Sequence, residues 1–190
     1  MIKQANKFCG NTVKALIVCF LFSLSGALFA QEGAADTDFL QRERLLTSYL
    51  DAKDAYAEQN LPAFQVALKV FQSEIQHLRL KGLVFEDMVR LKKVRDSLRR
   101  NSDDMLNANG IVEAKESFSA TGSQVWALME KMKFTENPLY LQYCPMEDAY
   151  WVSNEKTIFN PFSPVIMPAC GVIVHALSEV DYIKEACCAK

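Results

Sequence analysis

Proline constrains this chain most, because four of its six prolines fall between Cys144 and Gly171. A proline inside a helix removes a backbone hydrogen bond and clashes with the preceding turn. The segment therefore cannot be a continuous helix, and we predict a shaped loop there. Short strands are compatible with the β-rich residues around it, at 139–143, 150–153 and 172–176.

Upstream of this segment, residues 38–136 predict four amphipathic helices, because apolar side chains recur at steps of three and four. Asn137-Pro138 ends the fourth helix. The stripe of the second helix is the clearest, at Phe64, Leu68, Phe71, Ile75 and Leu78. The third helix has a predicted inner face of Phe85, Met88, Leu91, Val94, Leu98 and Met105. We therefore predict an all-α fold, an antiparallel up-and-down four-helix bundle with an irregular C-terminal Cys/Met loop and at most small strands.

The first 30 residues predict a secretory signal peptide. Lys3, Lys7 and Lys14 form a positive n-region, and the apolar run that follows ends in small residues at Ala30. That run is shorter than the ~20 residues of a membrane-spanning helix. We expect a signal peptide at 1–30, a linker at 31–37, a helical bundle at 38–136 and a Cys/Met-rich segment at 137–190 that packs on the bundle. The predicted location is periplasmic or secreted, with no membrane insertion after signal cleavage.

Charge and missing motifs exclude several function classes. Without the signal, 18 basic residues face 23 acidic ones, a net charge of −5, which argues against nucleic acid as a partner. The sequence has no C-x-x-C pair, no H-E-x-x-H motif and no glycine-rich phosphate loop, and it has two histidines. We therefore expect no enzymatic activity.

The cysteines of the mature chain all lie in its last quarter, at Cys144, Cys170, Cys187 and Cys188. Disulfides persist in the oxidising compartment that export implies, and four cysteines allow three pairings. A Cys144–Cys170 bridge would close a loop of 25 residues. In the chain-entropy account, such a bridge stabilises a fold by roughly 3–4 kcal/mol.

Two methionines accompany the first two cysteines and offer a second interpretation. Thiolates of Cys144 and Cys170, with thioethers of Met146 and Met167, are the soft ligands that select Cu(I) or a similar metal ion. The alternative is a structural disulfide with both methionines as flexible packing residues. His175 can extend a metal shell, although a histidine in an apolar run more often packs. Both interpretations remain open.

The motif residues of the last third are Tyr143-Cys144-Pro145-Met146, Trp151-Val152-Ser153, Ile158, Asn160-Pro161-Phe162 and Met167-Pro168-Ala169-Cys170-Gly171. They resemble the signature of an uncharacterised bacterial domain family, YCPM…WLS…I-x-NPY-x-G-x-x-M-x-x-CG. That family occurs as exported single-domain proteins and as C-terminal extensions of periplasmic adaptor subunits in heavy-metal efflux pumps. Here the NPY-x-G element is replaced by Asn160-Pro161-Phe162-Ser163-Pro164, which lacks the glycine.

The resemblance implies a helical bundle linked to copper or other heavy-metal handling, with Cys144, Met146, Met167 and Cys170 as ligands and efflux-pump subunits as partners. Our leading hypothesis is an exported soft-metal binding protein, with copper first, for sequestration or delivery to an efflux system. The alternative is a metal-free interaction module with a Cys144–Cys170 disulfide, partnering an efflux adaptor or another envelope protein. A basic run at 90–100 is predicted to be a solvated surface, with an acidic partner as the second interpretation.

Overall fold

The computed structural model describes residues 37–178 and 181–182. The predicted signal peptide, most of the predicted linker, and Cys187 and Cys188 lie outside these residues. Within the described ranges, every helix is too short or too polar to cross a membrane.

Four helices occupy the first part of the described chain. They are α1, helical over 37–57, α2 (Leu61–His77), α3 (Phe85–Asn107) and α4 (Lys115–Met129). The turn before α2 forms because the Asn60 side chain accepts a hydrogen bond from the Ala63 N–H and Pro62 occupies the first helical turn. The four predicted helices are present, but α4 ends at Met129, earlier than the predicted end at Asn137-Pro138.

Consecutive helices run antiparallel, as their cross-contacts show. Along α1 and α2, Gln41 contacts Glu74 while Tyr56 packs on Phe64. Between α3 and α4, Asn101 bonds to Gln124 and Asp87 pairs with Lys131. The apolar stripe of α2 is buried as its periodicity predicts, at Phe64, Leu68, Phe71 and Ile75.

Three strands form one antiparallel sheet with the order β2-β1-β3. They are β1 (Leu139–Cys144), β2 (Ala149–Ser153) and β3 (Val172–Leu177). A four-residue loop joins β1 to β2, so that Cys144 lies opposite Ala149. The register between β1 and β3 shifts at Leu141/Gln142, where β3 contains one additional residue.

The prediction of an all-α four-helix bundle is wrong, because the sheet is part of the packed core. Leu139, Leu141 and Val152 belong to the same hydrophobic cluster as the buried helix residues. The described part of the chain combines four helices with a three-stranded antiparallel sheet. The helices repeat their apolar pattern over many residues, whereas strands of five or six residues give only a weak signal in the sequence. The contribution of the strands to the core was therefore underestimated.

Helix α4 packs directly on strand β2, and Gly122 makes this possible. A Cβ atom at Gly122 would lie 2.6 Å from the Tyr150 carbonyl oxygen and 3.0 Å from the Trp151 Cα. The outer edge of β2 is also hydrogen-bonded by the helices. The Tyr150 N–H donates to Ser119 Oγ on α4, and the Val152 N–H donates to the Tyr49 hydroxyl on α1. The helices thus hold β2 in place by backbone contact and hydrogen bonds.

The predicted inner face of α3 is correct for its centre and wrong for its start. Leu91, Leu98 and Met105 are buried, but Phe85 and Met88 are exposed. The buried residues lie near one direction of the helix, and at 100° per residue Phe85 lies more than a quarter-turn away from it. At the N-terminal end of α3, the three- and four-residue spacing of apolar residues no longer follows the side of the helix that faces the core.

Candidate functional site

The sheet brings the two central cysteines together. Cys144 is the last residue of β1 and is completely buried, while Cys170 lies two residues before β3 and is half-buried. Because Tyr143 of β1 lies opposite Val172 of β3, the chain reaches Cys170 beside the end of β1. The two Sγ atoms are 3.0 Å apart, in contact but farther than the length of a disulfide bond. Residues 26 positions apart in sequence thus form one sulfur pair.

The loop that carries Cys170 is closed by hydrogen bonds of Asn160. Its N–H donates to the Pro168 carbonyl at 2.8 Å, and its side-chain Oδ1 accepts from the Phe162 N–H at 3.0 Å. The side chain and the following proline form an Asx turn. A further turn follows, in which the Cys170 N–H donates to the Met167 carbonyl at 3.1 Å. The Asn-Pro-Phe element therefore shapes the loop.

Gly171 allows this loop to lie on the sheet. Its φ of +157° is a conformation that other residues rarely adopt. A Cβ atom there would lie 3.0 Å from both Ile158 Cγ2 and Trp151 Cη2, and 3.3 Å from the Tyr143 carbonyl oxygen. Trp151 is completely buried and lies beneath the residue next to Cys170. A glycine directly after Cys170 is therefore a geometric requirement.

A buried polar network supports the same side of the sheet. The indole N–H of Trp151 donates to Gln142 Oε1 at 2.6 Å, and Gln142 Nε2 donates to the Glu155 carbonyl at 2.9 Å. Both side chains are completely buried, and the two residues lie opposite each other across β1 and β2. Sequence reasoning missed this network. The sequence feature that could have indicated this network is the glutamine in the otherwise apolar and aromatic strand LYLQYC.

The loop between β1 and β2 is held by charged side chains. Asp148 has a positive φ of 47° and accepts a hydrogen bond from the Tyr143 hydroxyl at 2.8 Å. Glu147 pairs with Lys115, at the start of α4, at 2.8 Å. Short polar residues such as Asp tolerate the left-handed conformation. These contacts fix the turn that follows Cys144.

The electrostatics around the sulfur pair disfavour a thiolate. The hydrogen bond with the Cys144 thiol raises the pKa of Cys170, and burial and the charge of Glu147 act in the same direction. The backbone N–H of Met146 lowers the pKa of Cys170, but by less than the hydrogen bond with Cys144 or burial raises it. Reactive cysteines of thiol–disulfide enzymes have lowered pKa values beside cations. This environment therefore argues against nucleophilic catalysis by Cys170.

The other predicted ligands, Met146, Met167 and His175, differ in their exposure and surroundings. Met146 is 71% exposed, and Met167 is half-buried in the loop. His175 lies opposite Leu141 and stacks on Trp126 of α4, with ring centroids 6.2 Å apart. In the described part of the chain, no three Cys, His, Asp or Glu side chains are grouped to hold a metal ion. The contact between two predicted sulfur ligands that the structure shows is the one between Cys144 and Cys170.

A metal ion between these sulfurs requires them to separate. Thiolate–metal bonds are about 2.3 Å long, so sulfurs 3.0 Å apart would impose an S–metal–S angle of about 80°. A tetrahedral angle needs roughly 3.7 Å, and a linear arrangement needs more. The donor chemistry suits a soft metal, but the geometry suits a disulfide better, since a further approach of about 1 Å reaches its bond length.

Comparison with protein-family models, curated proteins and solved structures finds no match to this chain. The resemblance to the domain family with the YCPM…MxxCG signature stays a prediction that rests on the motif residues.

Proposed function

We propose that this protein is an exported interaction module whose Cys144–Cys170 pair forms a disulfide that holds the C-terminal loop on the sheet. Its proposed partner is an efflux-pump adaptor or another protein of the cell envelope. The observation that carries the proposal is the 3.0 Å contact between two thiols that are 26 positions apart. In the oxidising compartment that the signal sequence predicts, such a pair is expected to oxidise.

The surroundings of the pair support a binding role more than a catalytic one. Val165 is 87% exposed, and Ile166 and Val172 on either side of Cys170 are also exposed, as is Met146. Adjacent large apolar residues on a surface are typical of protein contact sites. A bridge to the buried Cys144 would hold these residues in one arrangement and so reduce the entropy lost on binding.

Thiol counting in the exported protein tests the disulfide. The protein is denatured without reductant, alkylated and peptide-mapped, so that the pair is distinguished from Cys187 and Cys188. We expect Cys144 and Cys170 to be unmodified and linked. Reduction should lower the free energy of unfolding by roughly 3–4 kcal/mol. A Cys144→Ala/Cys170→Ala variant should show no such change on reduction, which makes it the matched control.

Complete alkylation of both cysteines in protein purified aerobically would contradict the proposal. That result would favour the second candidate function, an exported soft-metal binding protein for sequestration or delivery to an efflux system. A specific feature favours it: the exposed thioether of Met146 belongs to the residue whose backbone N–H faces the Cys170 sulfur. Cu(I) tolerates low coordination numbers, so the two thiolates with one thioether would suffice.

Anaerobic titration of the reduced protein with Cu(I) tests this second candidate. Tight binding of one equivalent should be lost in a Cys144→Ser/Cys170→Ser variant and weakened modestly in Met146→Leu and Met167→Leu. Met88→Leu, which changes an exposed methionine on α3, is the control. Equal affinities of Cys170→Ser and the parent protein would exclude the pair as the metal site.

A further inference from the structure

The N-terminal end of α3 presents an apolar surface that the rest of the described chain leaves exposed. Phe85 is 73% and Val84 is 64% exposed, and Met88 and Val89 are exposed as well. Single apolar residues on a surface are ordinary, but four large ones within six positions are not. We refer to Val84, Phe85, Met88 and Val89 as the α3 patch.

The α3 patch is not a displaced part of the core. Helix α3 faces α2 and α4 through Leu91, Leu98 and Met105, which are completely buried. At 100° per residue, Phe85 and Val89 lie on the opposite side of the helix from these residues. A change of side-chain rotamer cannot bring them to the core, so nothing within residues 37–178 and 181–182 buries them.

Positive charge continues along the same side of the helix. Lys92 and Lys93 follow Phe85 and Val89 at helical spacing, and both are exposed. The nearby Arg95 and Arg99 are engaged in the fold, where they donate to the Leu78 and Gln76 carbonyls at the end of α2. Of the acids near this side, Asp96 pairs with Arg99 at 3.6 Å, and Glu86 is exposed at the start of the helix. The surface is therefore apolar at one end and cationic at the other.

We propose that this face of α3 is the docking site of an acidic amphipathic helix of a partner protein. Apolar residues of that helix would cover Phe85, Met88 and Val89, and its carboxylates would face Lys92 and Lys93. The inference names the partner chemistry of the interaction role proposed above and rests on it. It does not depend on whether Cys144 and Cys170 are bridged.

Two other occupants fit the surface less well. In a two-fold pairing with a second copy, Lys92 and Lys93 would face the same residues when the axis runs along α3 and would face Lys81 when the helices are antiparallel, so like charges would repel. An anionic bilayer presents a broad flat surface. It would therefore also contact the exposed carboxylate of Glu86 beside the patch, which it would repel. A single helix contacts one narrow stripe and matches its charge locally, within the Debye length of about 8 Å.

A designed peptide tests this chemistry directly. The probe is a fluorescein-labelled 18-residue helix with Leu at the i, i+3, i+4 and i+7 positions and Glu on the flanking positions. Fluorescence anisotropy with the exported, oxidised protein should show saturable binding that weakens as salt is raised. Phe85→Ser should weaken it about tenfold, because it removes a large apolar contact. Lys92→Glu/Lys93→Glu should weaken it by about the same factor and remove most of the salt dependence.

Exposed positions elsewhere provide matched controls. Val66→Ser removes a similarly exposed apolar side chain from α2, and Lys69→Glu reverses an exposed charge on the same helix. Both should leave peptide affinity within about twofold. Because the test residues are exposed, none of the variants should lose the fold, and circular dichroism of each checks this.

Several results would overturn the inference. One is equal binding of the designed peptide and of a scrambled peptide of the same composition. Others are an unchanged affinity of Phe85→Ser, flotation with phosphatidylglycerol vesicles but no peptide binding, and a dimer in sedimentation that Phe85→Ser dissociates.

Thiol mapping of the same sample distinguishes the two proposals. Bridged cysteines without peptide binding contradict the docking site alone, whereas free cysteines that bind Cu(I) contradict the disulfide.

Discussion

The two edges of the sheet differ in how much the rest of the fold holds them. The β2 edge is covered: Ser119 and Tyr49 accept its outward N–H groups at 3.0 and 3.1 Å, and α4 approaches its backbone at Gly122. At the β3 edge, no described strand pairs outward, and five of the six β3 residues are exposed. Apart from its pairing with β1, the clearest side-chain contact of β3 is the stacking of His175 on Trp126.

This contrast separates the part of the sheet that stabilises the fold from the part that is available to other molecules. Unprotected strand edges with apolar side chains are sites where other chains can add. Cys170 and Gly171 directly precede the exposed strand, so the sulfur pair fixes the start of the less supported edge. Stability should therefore depend strongly on residues along β2 and weakly on residues along β3.

The largest effect is expected from Gly122→Ala. The new methyl group would lie 2.6 Å from the Tyr150 carbonyl oxygen, a backbone atom that cannot move without shifting β2. We expect a loss of about 3 kcal/mol in the free energy of unfolding, measured by urea denaturation. Gly110→Ala is the matched control, because a Cβ atom there meets nothing within 4 Å. Equal midpoints for the two variants would show that α4 can move away from β2 at little cost.

Gly171→Ala tests the tightest contact next to the exposed edge. The change combines an unfavourable φ with contacts of 3.0 Å to the side chains of Ile158 and Trp151, and we expect a loss of about 2 kcal/mol. Oxidation of the reduced Cys144–Cys170 pair by glutathione disulfide should also slow, because the loop no longer fits against the sheet. Gly82→Ala separates the two causes, since Gly82 has a positive φ but no neighbour within 4 Å. If both variants lose the same stability, the contacts with Trp151 contribute nothing.

The sequence allowed the helices and the strand positions to be predicted, but not the fold class. Helices of 15 to 23 residues repeat their pattern several times, which is why their existence was clear. The segments around Leu141, Val152 and Val174 were recognised as β-rich. Whether such short strands pair into a sheet that carries part of the core depends on contacts that no local pattern contains. Gly122 illustrates this, because an isolated glycine within a helix gives no hint of the strand it contacts.

The sequence identified the cysteines of the candidate site but not their arrangement in space. Spacing and residue type singled out Cys144 and Cys170 as partners for each other or for a metal. The polar network of Gln142 beneath them was missed, because a buried glutamine becomes recognisable only when its partners are known. The exposure of Phe85 was also missed, since apolar spacing predicts a buried face even where another molecule would have to cover it.

Tyr49→Phe measures the hydrogen bonds that protect the β2 edge. Without the hydroxyl, the buried Val152 N–H has no acceptor, and we expect a loss of about 1–1.5 kcal/mol. Burial also raises the pKa of Tyr49 above its ordinary value, so the folded state holds this proton more tightly than the unfolded state. Stability should therefore be complete below about pH 10 and fall as the pH rises further. Urea midpoints between pH 8 and 11 should fall less steeply in Tyr49→Phe.

The half-buried Tyr140 of β1 provides the control for this prediction. Tyr140→Phe should change the free energy of unfolding at neutral pH by less than about 0.5 kcal/mol. An equal loss in the two variants would mean that the Tyr49 hydroxyl contributes nothing specific to the edge of β2.

The smallest effect is expected from Val174→Lys, at the exposed edge. Val174 is the additional residue at the register shift of β3, and its side chain is already 40% exposed. A lysine there should change stability by less than about 0.5 kcal/mol, and it should lower self-association at high concentration, because charged residues on edge strands oppose pairing with another chain. Light scattering and urea denaturation measure the two effects.

Val152→Thr, at the buried position on the opposite edge, should instead cost more than about 1 kcal/mol. Similar losses for both substitutions would mean that β3 is held as firmly as β2, and that the exposed edge is not the adaptable side of the sheet.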